Sequence, residues 1–326
     1  MIICKTPYRI SFFGGGSDYP SWYKDNGGEV ISTSINKYIY LSLRQLPFFF
    51  NHKYRIVYSK IESKKKLNEI NFRVVRELIK YFKIKDGLEL HYDGDLPARS
   101  GMGSSSAFVI SLINIFNSYI GGKKFSKSEL GRLGLEIEHE LLKEVVGSQD
   151  QIATAYGGFN HIKFLTNGKF KVTKFKNEKF IKKLNQNLVL IYTGVQRTAS
   201  DVASKYISKF SKEKKRNLLE LIENTKNAKK IIFNNDLKNF GYLMDENWKI
   251  KRSLSNSIAN HKINEIYQEA KKEGAIGGKL LGAGGGGFFC FFVPKEKQKN
   301  FFKKKKLVKV KFKFENQGSQ IIYNNA

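Results

Sequence analysis

The chain has 326 residues, enough for one large domain or two medium ones, and no run in it approaches the roughly 20 consecutive apolar residues of a membrane helix. Its 58 Lys and Arg against 29 Asp and Glu leave a net charge of +29, with the lysines spread along the whole chain and short runs only at 64–66 and 303–306. That spread fits a solvated lysine-rich surface better than a nucleic-acid interface, though a positive field still draws in anionic substrates.

Residues 1–5 lack the charged-then-apolar layout of a secretory signal. The two cysteines, Cys4 and Cys290, sit far apart in apolar, strand-like segments, which predicts buried reduced thiols and a cytoplasmic location. Ile10, Phe12 and Gly14 alternate with Arg9, Ser11 and Phe13 in a strand that runs into Gly14-Gly15-Gly16-Ser17-Asp18. Three glycines at a strand end can form an anion-accepting nest of backbone amides. A plain strand-to-loop turn reads equally well, with Asp18 as the cap of a helix beginning at Pro20.

Ile39, Leu41 and Leu43 share one face of a second strand, and residues 54–59 form a third. Residues 71–82 have helical spacing through Val75, Leu78, Ile79 and Phe82, and 88–92 is a short strand. Then comes Pro97-Ala98-Arg99-Ser100-Gly101-Met102-Gly103-Ser104-Ser105-Ser106, opening into an apolar helix at 108–120. A glycine–serine loop there surrounds an anion with unpaired N–H groups at the positive helix end. Gly101 and Gly103 permit a tight turn, and the serines add hydroxyls. No Gly-Lys-Ser/Thr follows, so this is not a Walker loop. A serine-capped helix accounts for Ser104 but poorly for the two glycines and three serines together.

Ser126 and Glu129 have capping-box spacing and open a helix through Leu130, Leu133, Ile137 and Leu141. Beyond it, Gly147-Ser148-Gln149-Asp150 places an aspartate after a turn, where it is either a general base facing a cleft or a buried N-cap. His139 has no second histidine or cysteine at metal spacing and reads as structural. Residues 187–193 form a buried strand, and charged helical segments follow from about 199 to 272. A second glycine-rich turn occupies 282–287, and 307–314 alternates Lys with Val or Phe like an edge strand. Strands first and helices later predict an α+β chain in two lobes, 1–184 and 185–326.

Residues 97–107 resemble the Pro-x-x-x-Gly-Leu-Gly-Ser-Ser-Ala-Ala phosphate loop of the GHMP kinases, with Met102 in the leucine position and Ser106 replacing an alanine. Residues 7–19 are similar to that family's first motif and 279–289 to its third, in the same order along the chain. Residues 9–20, 146–151, 156–160 and 279–289 look more specifically like the D-glycero-D-manno-heptose 7-phosphate kinase branch.

The resemblance implies a two-lobed GHMP kinase fold, with a ribosomal-protein-S5-domain-2-like N-terminal lobe and a ferredoxin-like C-terminal lobe. It implies ATP and Mg²⁺ as cofactors, and transfer to the anomeric hydroxyl of the heptose phosphate. The 1,7-bisphosphate would then feed GDP-heptose and surface glycans. By the same resemblance Asp150 is the catalytic aspartate, with Arg9 beside it keeping it ionised and oriented. Pro97, Arg99, Ser100, Gly101, Met102, Gly103, Ser104, Ser105 and Ser106 bind nucleotide, and Ser105 with Glu138 holds Mg²⁺. Glu136 and Glu140 are neighbouring alternatives to Glu138. Gly15, Gly16, Ser17, Asp18, Lys279, Gly284 and Gly285 line the acceptor.

Arg197, just after a buried strand, is the first choice for the distal sugar phosphate, with Arg99 and Lys279 as alternates. The expected partners are ATP and a small sugar phosphate, without nucleic acid or membrane. A homodimer is compatible with the resemblance, and the sequence is silent on oligomeric state. Galactokinases carry Gly-Glu-His where this chain has Gly14-Gly15-Gly16. Bare backbone in place of a carboxylate and an imidazole argues against galactose and suits a bulkier or anionic sugar.

Overall fold

The computed structural model describes residues 1–195, 211–255, 257–303 and 307–325, and Arg197 lies outside them. Alternating apolar residues and a β-branched-rich stretch build two long strands, β1 (Ile2–Phe13) and β2 (Gly28–Gln45), joined through the helix α1 (Pro20–Asn26). β2 is far longer than the short strand around Leu41 that the sequence suggests. Its first half is buried on both faces, so no apolar–polar alternation marks it.

β1 and β2 run antiparallel, and β2 pairs on its other side with β5 (Leu88–Gly94) and, nearer its start, with β6 (Phe159–Phe164). The sheet continues through β3 (Tyr54–Val57), β4 (Ile61–Lys64) and β7 (Phe170–Lys174). Four helices belong to this half: α2 (Arg73–Tyr81), α3 (Ser104–Tyr119), α4 (Lys127–Glu136) and α5 (Gln149–Tyr156). The capping box forms as expected, with Ser126 Oγ accepting from Glu129 N and Glu129 Oε2 accepting from Ser126 N. The helix it opens stops being α-helical at Glu136 and continues as a π-helical turn, Ile137–Leu141.

After α6 (Glu178–Gln186), a second sheet is built from β8 (Leu188–Tyr192), β9 (Gly277–Leu280), β10 (Phe288–Phe292) and β11 (Val308–Val310), in the order β11-β8-β10-β9. The helices α7 (Lys212–Phe233), α8 (Leu237–Ser253) and α9 (His261–Lys272) belong to this half. Residues 307–314 are not one edge strand. β11 ends at Val310, and β12 (Phe314–Glu315) and β13 (Gln320–Asn324) cross back to pair with β2 and β1 of the first sheet. A division at 184/185 would leave those two strands outside the sheet they complete.

The two halves are interlocked by aromatic packing. Phe240 of α8 meets Phe12 and Phe13 of β1 edge-on, at ring separations of 5.4 and 5.1 Å. Trp248 of α8 meets Phe289 of β10 at 5.7 Å. α8 therefore packs at once on the end of β1 and on the second sheet. Cys4 and Cys290 are buried and unbridged. Among the described residues no helix is long and apolar enough to cross a membrane.

Candidate active site

The register of β1 against β2 slips between Pro7 and Arg9 and again between Ser11 and Phe13. Such bulges re-aim side chains out of the regular alternation, and here they frame an inward-facing arginine. Arg9 Nε and Nη2 donate to Asp150 Oδ1 and Oδ2, each at 2.6 Å. Its remaining nitrogen, Nη1, donates to the Gly101 carbonyl at 2.6 Å, and its backbone N–H donates to Met102 O at 3.1 Å. One guanidinium thus ties the aspartate of α5 to the loop before α3.

Asp150 lies in the first turn of α5, but the N-cap residue is Ser148, so the capping reading of the aspartate fails. Its side chain remains 22% exposed while that of Arg9 is 3% exposed. The pair is anchored on its arginine side and open on its carboxylate side.

The loop is seated by its ends. Met102 is fully buried, and Ser100 O accepts from Phe288 N at 3.2 Å. Gly101 has φ +77°, and a Cβ there would stand 2.4 Å from Leu281 O, so this position needs glycine both for conformation and for space. α3 begins at Ser104 rather than at Phe108 and is capped by Gly103, which has no side chain to satisfy the first-turn amides. The Ser100 hydroxyl is buried without a hydrogen-bond partner. Ser105 is exposed at the same helix end, and Pro97 and Arg99 are exposed in the lead-in. A Cβ on Gly103 would lie 3.4 Å from Asp150 Oδ2. The carboxylate and the amide-lined loop are neighbours.

Asp18 is no helix cap either, since α1 is capped by Tyr19. Its Oδ1 accepts from Gly16 N at 2.8 Å and its Oδ2 from Gln149 Nε2 at 2.9 Å. Ser148 N donates to Asp18 O at 2.8 Å. Burial raises the Asp18 carboxyl above its ordinary range, the Gly16 N–H works against that, and the nearby Asp150 charge raises it further. Of the nest that residues 14–16 could form, the Gly16 N–H is already taken by Asp18. Ser17 Oγ is turned inward, donating to Gly14 O at 2.8 Å.

The third motif supplies packing more than open binding groups. Gly285 N donates to Ile258 O at 2.8 Å, and Gly284 is pressed against Ile258. Lys279 is 1% exposed, with its Nζ donating to Phe12 O at 3.0 Å, and burial holds its ammonium well below the usual lysine range. Lys279, an alternate for the distal phosphate, is therefore no ordinary surface lysine: its strand is buried on both faces, and its ammonium is held on a main-chain carbonyl. Arg197 lies outside the described residues, but the segment leading to it runs beside the turn: Gly287 N donates to Val195 O at 2.7 Å.

Glu138 sits in the π-helical turn, whose Leu142 N to Ile137 O bond of 2.8 Å swings the side chain inward. Ser106 Oγ donates to Glu138 Oε2 at 2.9 Å, and Gln151 Nε2 donates to the same oxygen. Burial pushes the carboxyl up to about 8, against these two bonds. The hydroxyl that touches Glu138 is that of Ser106 and not that of Ser105, because α3 starts early enough to turn Ser106 into the interior. No group of three or more His, Cys, Asp or Glu that could hold a metal occurs among the described residues. A buried carboxylate with loop hydroxyls is a set of hard oxygen donors that suits Mg²⁺ bound chiefly through substrate phosphates.

One charged residue at this site carries no sequence motif. Lys251, near the end of α8, is 5% exposed, and its Nζ donates to the Gly282 carbonyl. Arg9, Asp18 and Asp150 all act on its ionisation. Its signal was periodicity: Met244, Trp248 and Lys251 share one face of α8 at i, i+4 and i+7, and that face is buried.

Family models described as GHMP kinases N terminal domain and GHMP kinases C terminal match residues 69–158 and 220–305. The chain is 30% identical over 291 residues to the D-glycero-alpha-D-manno-heptose 7-phosphate kinase of Campylobacter jejuni, covering 86% of each protein. It is 25% identical to the bifunctional fucokinase/GDP-fucose pyrophosphorylase of Arabidopsis thaliana, over 86% of this chain and 28% of that one. Its fold matches that of a D-glycero-D-manno-heptose 1-phosphate kinase from Bacteroides thetaiotaomicron at a TM-score of 0.78, with 22% identity and all of both chains covered.

Proposed function

The chain belongs to the GHMP kinase family as a kinase acting on a sugar hydroxyl, and from that premise we propose that it phosphorylates the anomeric hydroxyl of D-glycero-D-manno-heptose 7-phosphate. The product is the 1,7-bisphosphate, on the way to GDP-activated heptose and surface glycans. The observation that carries this reading is the shared guanidinium: Arg9 bonds both Asp150 carboxylate oxygens and the Gly101 carbonyl. A base and a phosphate loop held by one side chain can meet at one phosphorus atom.

In this mechanism the terminal phosphates of ATP rest over residues 101–106, against the first-turn amides of α3. The acceptor oxygen attacks the γ-phosphorus in line as the bond to the ADP oxygen breaks, and its proton passes to Asp150. Such transfer depends chiefly on positioning and charge neutralisation. Arg9 orients the carboxylate, while Asp18, with residues 15–17, holds sugar hydroxyls. Glu138 with Ser106 and Ser105 would hold Mg²⁺, which when bound neutralises charge on the β- and γ-phosphates.

The test is ADP release from ATP with a panel of free and phosphorylated sugars. The expected result is turnover with the heptose 7-phosphate and little with galactose or fucose. Preferential turnover of fucose would replace this acceptor with a hexose, the reading that similarity to the fucokinase favours. Arg197→Ala is expected to raise KM for the phosphorylated acceptor alone. An unchanged KM removes Arg197 from the distal-phosphate role.

A further inference from the structure

The contacts around α8 point to a role for a residue outside the family motifs. Lys251 donates through Nζ to the Gly282 carbonyl. Gly282 in turn lies so close to the phosphate loop that a Cβ on it would stand 2.5 Å from Gly101 Cα. Gly101 O accepts from Arg9 Nη1, and Arg9 holds Asp150. A single line of contacts therefore runs from the end of α8 through both glycine-rich turns to the carboxylate at the centre of the site.

We propose that Lys251 is a positioning residue for phosphoryl transfer, whose ammonium group pins the Gly282 turn against the phosphate loop and balances the carboxylates of Asp18 and Asp150. Among the described residues its hydrogen-bond acceptor is a carbonyl, not a carboxylate. A buried ammonium without a salt bridge is a poor way to stabilise packing, since an apolar chain of similar length fills the space without the desolvation cost. The charged groups facing it are Arg9 from β1, Asp18 from the loop before α1, Asp150 from α5 and Lys279 from β9. Burial, followed by the Arg9 charge, holds the Lys251 ammonium down to about 8, with Asp18 and Asp150 opposing. Its charge is thus lost on the mildly alkaline side of neutrality, and transfer should fall with it.

The inference rests on the kinase reading above, so the test has one arm that needs no acceptor. Lys251→Met, Lys251→Gln and Lys251→Arg are compared with the parent chain for thermal midpoint, affinity for a fluorescent ATP analogue, and kcat on either side of about pH 8. The expected result for Lys251→Met is a midpoint at or above that of the parent. Its kcat should fall by roughly 10²-fold, the scale of a small misplacement at the reacting centre. The analogue should bind more weakly, and the alkaline fall in activity should disappear.

Lys251→Arg should recover much of kcat and move that fall to higher pH, because a guanidinium keeps its charge. Lys251→Gln serves in place of the methionine variant if the latter does not fold. A lowered midpoint with unchanged kcat makes Lys251 a packing residue and overturns the proposal. An unchanged analogue affinity together with an unchanged alkaline limb overturns it as well. If no sugar is turned over, the acceptor assignment falls while the binding arm still decides Lys251.

Discussion

Arg9 spends all of its side-chain directions inside the site: two nitrogens on Asp150 and one on Gly101. The aspartate keeps an open carboxylate edge, so on the proposed mechanism its effect should be chemical and not conformational. Asp150→Asn is expected to lower kcat by about 10²–10⁴, the usual scale for losing an acid–base group, with ATP affinity nearly kept. Rapid-quench measurement of the transfer step with a separate nucleotide titration checks this, and near-normal turnover would remove Asp150 as the base. Lys251 makes a second residue-scale prediction. Lowering its ionisation from 10.5 to about 8 costs the fold on the order of 3 kcal/mol at neutral pH. Between those two values the unfolded chain binds more protons than the folded one, so the stability difference between parent and Lys251→Met should shift in the parent's favour as pH rises through that window. Denaturant melts of both proteins across the window measure it.

Individual elements divide the glycines into those the fold requires and those it does not. Gly101→Ala forces a Cβ to 2.4 Å from the Leu281 carbonyl at a left-handed φ, and a backbone atom cannot swing aside. Strain of about 1–3 kcal/mol is expected at such a position, with loss of nucleotide affinity as the loop lifts off the turn. Gly15 is the contrast. It has no left-handed φ, and a Cβ there would have its nearest neighbour, Gln149 Nε2, at 3.7 Å. Gly15→Ala should therefore leave the thermal midpoint nearly unchanged and raise KM for the sugar but not for ATP. Equal effects on both substrates would place Gly15 outside the acceptor pocket.

Sheet elements carry a separate pH dependence. Glu89 of β5 bonds Arg55 of β3 at 2.6 Å, Arg44 of β2 at 2.6 Å and His91, and despite its burial these partners pull its carboxyl down to about 2. The stabilisation is present above the ordinary carboxyl value and lost as pH falls towards 2. Glu89→Gln should thus narrow the gap between neutral and acid melting temperatures.

Over the whole molecule, a net charge of +29 is expected to act on encounter with anionic substrates more than on chemistry. With a screening length of about 10 Å at 0.1 M salt, kcat/KM for a phosphorylated acceptor should fall more steeply with ionic strength than that for its unphosphorylated counterpart. Stopped-flow or initial-rate measurements across a salt series compare the two, and parallel slopes would discount steering. The interlocked architecture has a consequence at the same scale. α8 touches β1 through Phe240, β10 through Trp248 and the Gly282 turn through Lys251. The site is accordingly assembled from both halves of the chain.

Local chemistry was enough to read the glycine-rich loop and the capping box from the amino-acid order alone, whereas the glycine-rich strand end at 14–16 and the aspartate after the Gly-Ser turn each kept a plain structural reading until the resemblance to the family weighed on them. The loop and the box depend on neighbours a few residues away: an amide row needs glycines in succession, and a capping box needs only its own turn. The sequence also supplied the family, because three ordered motifs span most of the chain. What it could not decide was which groups face the cleft, since that depends on partners more than a hundred residues distant. Lys279 turned out to be buried, Ser106 rather than Ser105 met Glu138, and Lys251 entered the site from a helix that reads as merely charged. A lysine's spacing shows on which face of a helix it lies, but only the packing of that face against β1 and the second glycine turn shows what it meets.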